Sequence, residues 1–228
     1  MTRGLAATAL NLSPDQFLTA DGLVARRVSA GASWFRIHRS ALAPVYFGGP
    51  DAGMRFNDPG EGANHVLAPA VARGSAPDSG AYGVCYFGVS PEASFVEIFF
   101  RRLPSVSVDA SELLKRSVIE VVLARDLLVA RLNGPCLLRL GVSADIVAGR
   151  DYAPAQVVAR GLWRHPARFD GIEYPTRHDP GERSIALFNR ASAAVPASAI
   201  LLSEVLDPDL PLVKGWIERY DFELFEDR

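Results

Sequence analysis

The chain has 228 residues, 49% hydrophobic and 22% charged, with a formal net charge of -2 and a pI near 6.1. That length suits one domain with a substantial core, and the charge disfavours direct nucleic-acid binding. Cys85 and Cys136 are too few for a disulfide framework, and no apolar run reaches secretory-signal or membrane-spanning length, so a soluble cytoplasmic protein is expected.

Residues 1–33 read as an N-terminal extension, and residues 34–228 as the main domain. Within the extension, Ser13-Pro14-Asp15-Gln16 has the pattern of a capped helix start with proline in the first turn, which predicts a short helix. Ala30-Gly31-Ala32-Ser33 reads as a joint. Trp34 to His38 alternates as a first strand. From Gly48 to Gly80 the chain is rich in Gly, Pro, Asp and Asn, the composition of a long loop of functional interest. Tyr82 to Val89 predicts a strand, and Ser90-Pro91 opens a helix reaching Arg101.

Val118 to Leu123, Leu127 to Arg131 and Leu137 to Leu140 are short runs separated by Asp, Asn and Gly, and predict strands. Ala155, Val158, Ala159, Leu162 and Trp163 fall at helical spacing, so Tyr152 to His165 predicts an amphipathic helix. Gly171 to Tyr174, Ser184 to Phe188 and Ala199 to Leu206 are strand-like. Pro208 to Tyr220 predicts a last helix, followed by the apolar tail Phe222 to Phe225. This irregular mixture points to an α+β fold and away from regular strand–helix alternation.

Several chemistries find no support. No Gly-x-Gly-x-x-Gly or Walker loop is present, and no Gly-x-Ser-x-Gly elbow. His38, His65, His165 and His178 lack ligand-like spacing, so no metal site is expected. One residue stands out. Glu97 is the lone carboxylate in Phe95-Val96-Glu97-Ile98-Phe99-Phe100, and burying an unpaired carboxylate costs several kcal/mol or forces protonation.

Tyr86 lies in the strand before that helix, and Arg36 and Arg55 each adjoin a phenylalanine upstream. Two guanidiniums, an aromatic hydroxyl and a half-buried carboxylate suit a ligand with phosphates, a flat ring and developing positive charge, such as NAD. Each residue also has an ordinary reading. The arginines could cover aromatics at the surface, and Tyr86 could be a satisfied core tyrosine. Glu97 could face solvent, and Ser184 could be any strand serine.

Five stretches in order change that weighing: Trp34-Phe35-Arg36-Ile37, Met54-Arg55-Phe56-Asn57, Tyr86 through Glu97, Phe169 through Arg177, and Ser184-Ile185-Ala186-Leu187-Phe188. From about residue 33 onward the chain resembles the RES-domain family, named for an arginine, a glutamate and a serine. The resemblance implies a fold similar to ADP-ribosyltransferases, with a mixed β-sheet core and surrounding short helices. It implies the toxin half of a toxin–antitoxin pair, with NAD as substrate and no other cofactor.

It carries over Arg36, Tyr86, Glu97 and Ser184 as catalytic residues, and Arg36, Arg55, Tyr86 and Ser184 as NAD-binding. Thr176 stands where a typical member has serine. The stretch between Glu97 and Ser184 is longer than a compact member needs.

The implied reaction is cleavage of the nicotinamide–ribose bond, depleting NAD and arresting growth. In it Glu97 stabilises the oxocarbenium-like ribose and Arg36 and Arg55 hold the pyrophosphate. Tyr86 packs on nicotinamide, and Ser184 bonds the amide or ribose. The acceptor stays open between water (glycohydrolase), phosphate (phosphorylase) and a specific protein (mono-ADP-ribosyltransferase). A non-catalytic binding protein on the same fold is the alternative from another class, which loss of the arginine or glutamate would have favoured. The implied partner is an Xre-type helix-turn-helix antitoxin, through which any DNA contact would run, and a homodimer is left open.

Overall fold

The structure, a computed structural model, describes residues 16–60, 80–100 and 107–226. Eleven strands are present among them: β1 (Gln16–Leu18), β2 (Val24–Val28), β3 (Ser33–Arg39), β4 (Val84–Gly88), β5 (Ser107–Asp109), β6 (Arg116–Val122), β7 (Leu127–Arg131), β8 (Gly171–Pro175), β9 (Arg183–Phe188), β10 (Ile200–Val205) and β11 (Glu223–Phe225). The helices are α1 (Pro91–Phe99), α2 (Ala110–Leu114), α3 (Pro135–Leu140), α4 (Asp145–Ala148), α5 (Ala153–Arg164) and α6 (Pro211–Tyr220), with three short 3-10 turns.

Nine strands form one sheet in the order β1-β2-β7-β8-β9-β4-β3-β6-β10, and β11 pairs with β5 in a separate ribbon. Within the large sheet only β7 and β8 run parallel. A parallel step needs a long crossover, and α3, α4 and α5 occupy it. The α+β expectation holds.

The apolar faces divide three ways. One face packs on α5 through Ala155, Val158, Ala159 and Leu162. The opposite face buries Trp34, Cys85, Phe87, Ile119 and Val129. A third cluster joins α1 to α6 and is aromatic: Phe95, fully buried, stacks on Trp216 with ring centroids 4.4 Å apart. Burying one such ring is worth about 1.5–3 kcal/mol, so α1 is held firmly on its inner side.

Several sequence expectations are corrected. The short helix after Ser13 gives way, from Gln16 on, to strand β1, whose Phe17 pairs with Ala25 and packs on the core; residues 13–15 lie outside those described. Val24–Val28, within the expected extension, is β2 and pairs with both β1 and β7. Leu137 to Leu140 is part of helix α3 and not a strand. Pro135 sits in its first turn, and Gly141 caps it in the left-handed region at φ 67°, which glycine adopts without steric cost. The helix expected to reach Arg101 ends at Phe99, and the long loop contains a 3-10 turn at Pro50–Ala52.

Candidate active site

β3 and β4 share a single register pair, Phe35 with Gly88, so the two strands diverge beyond it. Side chains fill the gap that the missing ladder leaves. Arg36 donates from Nη1 to the Tyr86 carbonyl at 2.9 Å and from Nε to the Pro44 carbonyl at 3.0 Å. On the other side Ser94 Oγ donates to the Phe35 carbonyl and accepts the Gly88 N–H. Gly88 is required here, since a Cβ would lie 2.6 Å from Ser94 N and Oγ. The N-terminus of α1 can therefore press directly against the end of β4.

A cavity of about 710 Å³, counted out to its open mouth, occupies this divergence. Arg36, Arg55, Tyr86, Glu97 and Ser184, spread over nearly 150 residues of sequence, all line it.

Glu97 is half-buried, and its Oε1 accepts the Arg177 backbone N–H at 3.1 Å. Helical spacing sets Ser94 and Glu97 on one face, while Phe95 and Phe99 turn to the aromatic cluster. The carboxylate in an apolar run is thus explained: one face of α1 is core, the other is cavity.

Arg55 is buried and fixed from two sides. Nη1 donates to the Gly149 carbonyl at 2.9 Å, and the guanidinium lies over the Tyr152 ring, 4.6 Å from its centroid. Tyr86 presents its ring to the cavity, because its hydroxyl is already committed. It donates to Asn57 Oδ1 at 3.0 Å and accepts the Phe56 N–H at 2.9 Å.

Ser184 is buried opposite Tyr174 across the β8–β9 pair. Burial, then the charge of Glu97, pushes the Tyr174 phenol far above its usual range, so it keeps its proton at any ordinary pH. Thr176 spends its hydroxyl on the Asp179 carbonyl inside the β8–β9 turn. Among the described residues no group of three His, Cys, Asp or Glu could hold a metal ion, and no helix is long and apolar enough to cross a membrane.

The RES domain family matches residues 27–213. The chain belongs to this family. A chain in the crystal structure of the M. tuberculosis MbcT–MbcA toxin–antitoxin complex is similar to this RES domain with a TM-score of 0.57 at 16% identity. The match covers 83% of this chain and 91% of that one, and it establishes likeness of fold. No curated protein matches the sequence.

Sequence reasoning missed further residues lining the cavity of this RES domain, among them Met54, Ser94, Tyr152, Tyr174, Arg177 and His178. Tyr174 and Arg177 stood within a stretch used to recognise the family, but the pairing of Tyr174 with Ser184 across β8–β9 and the bond from the Arg177 N–H to Glu97 appear only in the structure. Ser94 had a local signal as well, since it follows the Ser-Pro helix start by four residues.

Proposed function

We propose that this RES domain cleaves NAD at the nicotinamide–ribose bond and acts as the toxin of a toxin–antitoxin pair. The observation that carries the reading is the meeting, in one cavity, of a single half-buried carboxylate with Arg36, Arg55 and Arg177. Nicotinamide leaves a pyridinium as a neutral ring and needs no proton. The positive charge then moves onto the ribose, where Glu97 favours it selectively in the transition state.

Arg55 and Arg36 flank the cavity with forked donors suited to pyrophosphate oxygens. Their backbone and aromatic anchors set the fork before a ligand arrives, so little ordering entropy is lost on binding. The Tyr86 ring offers a flat surface for nicotinamide, and Ser184 a hydroxyl for the amide or ribose. The released ADP-ribosyl group passes to water or phosphate.

A partner belongs to the same reading. An NAD-consuming enzyme needs restraint in its own cell, and the similar solved chain comes from a complex named for a toxin and its antitoxin. The partner proposed here is an Xre-type helix-turn-helix protein that covers the cavity and supplies any DNA contact.

Incubating the pure protein with NAD, with and without phosphate, tests the enzymatic reading. Stoichiometric release of nicotinamide is expected, and the sugar product identifies the acceptor. Intact NAD after prolonged incubation would overturn the reading.

A further inference from the structure

We propose that Glu182, which does not line the cavity, is a positioning residue for Glu97: it holds in place the turn whose backbone orients that carboxylate. The proposal rests on the NAD-cleaving reading above. Stabilising charge on the ribose needs the carboxylate in one place, and a misplacement of about 1 Å can cost about 10²-fold in rate. Glu97 stands in the last turn of α1, and its Oε1 accepts the Arg177 N–H at 3.1 Å. A backbone donor cannot swing as a side chain does. Through this bond the orientation of Glu97 follows the turn between β8 and β9.

That turn takes its shape from local bonds. The Glu182 N–H donates to the Asp179 carbonyl at 2.9 Å, and the Gly181 N–H to Asp179 Oδ1 at 3.2 Å. The Thr176 N–H donates to the Glu182 carbonyl at 3.0 Å. Glu182 is therefore the rung opposite Thr176, next to Arg177. These bonds give the turn a shape but no position against α1.

The Glu182 side chain supplies the position. Its Oε2 accepts from Ser90 Oγ at 2.5 Å, and Ser90 Oγ accepts the Ala93 N–H at 3.0 Å as the N-cap of α1. The turn thus grips α1 at two points, Ser90 and Glu97, about two helical turns apart. A ring of contacts closes from Glu182 through Ser90, α1 and Glu97 to Arg177, and back across the Thr176 rung. The contacts between β4 and β9 end beside it, with the Val89 N–H on the Arg183 carbonyl at 3.0 Å. Beyond that point Glu182 carries the tie.

Its other oxygen, Oε1, accepts from Arg219 of α6 at 2.8 Å. Arg219 also reaches Asp179 Oδ2 at 3.2 Å, where the Tyr220 hydroxyl donates at 3.0 Å. Both side-chain partners of Glu182 are donors, and a carboxylate offers each an oxygen. The side chain is only 16% exposed, and hydrogen bonds to a charged acceptor are stronger than neutral ones. Glutamine has nearly the same size but presents an NH2 to one of the two donors, which breaks the brace.

Glu182→Gln is expected to lower kcat for nicotinamide release by about 10–100-fold and to leave the KM for NAD within a few-fold of the parent. A double-mutant cycle separates orientation from general stability. In a Glu97→Gln background there is no charge left to orient, so adding Glu182→Gln should change the residual kcat by no more than about twofold. Arg219→Gln breaks the same brace from the half-exposed side of α6. It should lower kcat in the parent and not in the Glu97→Gln background, and it serves if Glu182→Gln unfolds.

An equal fall in both backgrounds overturns the proposal. So does a folded Glu182→Gln protein with parental kcat, or one whose loss lies wholly in KM. With a parent that releases nicotinamide, each of these results leaves the NAD reading standing. A parent that releases none overturns that reading, and the proposal with it.

Discussion

Replacing Tyr86 by phenylalanine keeps the ring that faces the cavity and deletes one oxygen. That oxygen accepts from Phe56 N–H and donates to Asn57 Oδ1, and both residues are fully buried. The Phe56 donor would be stranded at a cost of about 1–3 kcal/mol, and Asn57 would lose a bond worth about 1 kcal/mol. Asn57 also ties down the Gly48 and Gly49 carbonyls through Nδ2, so the bond to the Tyr86 hydroxyl is one of three that hold its side chain in place.

A destabilisation of about 2–3 kcal/mol is expected, which in a chain of this size lowers Tm by roughly 5–10 °C. Arg55 precedes Phe56, so loosening this segment blurs the placement of its guanidinium. The KM for NAD should rise several-fold while kcat stays within a few-fold, because Glu97 is untouched. Thermal melting and steady-state nicotinamide release measure the two effects. A Tyr86→Phe protein that melts with the parent and binds NAD equally well would refute the claim that the hydroxyl holds this wall of the cavity.

Glu97→Gln keeps an oxygen for the Arg177 N–H and removes the charge, so NAD should still bind while kcat falls by about 10²–10³-fold; near-parental turnover in the folded variant would remove Glu97 from the chemistry. Expression without a partner should drain cellular NAD before viability falls, and stable NAD in arrested cells would shift the reading to transfer onto a specific protein. An antitoxin segment seated against Arg36 and Arg55 should compete with NAD, and simultaneous binding with undiminished affinities would place inhibition elsewhere.

Much of the fold was legible where pattern and environment agree. Val118 to Leu123 and Ser184 to Phe188 read as strands because their β-branched and large apolar side chains suit a sheet buried on both faces. The α5 stripe read as a helix because its small and apolar residues share one side. The sequence misled where a short apolar run carries no period. Leu137 to Leu140 has leucines in any register, and the glycine that ends α3 decides the matter. β2 was hidden by Arg26 and Arg27, although Arg26 is sequestered by pairing with the fully buried Glu173 of β8.

The candidate site divides similarly. Arg36, Arg55, Tyr86, Glu97 and Ser184 were picked out by their neighbours in sequence. Tyr174 and His178 were not, because what matters about them is which strand they cross and which turn bends them inward. Tyr86 was assigned to the ligand by its ring and its hydroxyl together, and the structure separates the two.

The braces on the β8–β9 turn also set an order of assembly on the ribosome. Asp179 and Glu182 bond to Arg219 and Tyr220, which lie 37 to 41 residues further along the chain. Translation delivers every cavity-lining residue before either of these two anchors. A nascent chain can therefore pair β3, β4, β8 and β9, and tie the turn to Glu97 and Ser90, before its bonds to α6 can form. The cavity walls come first, and the outer braces of the turn close once α6 has emerged and docked on Phe95.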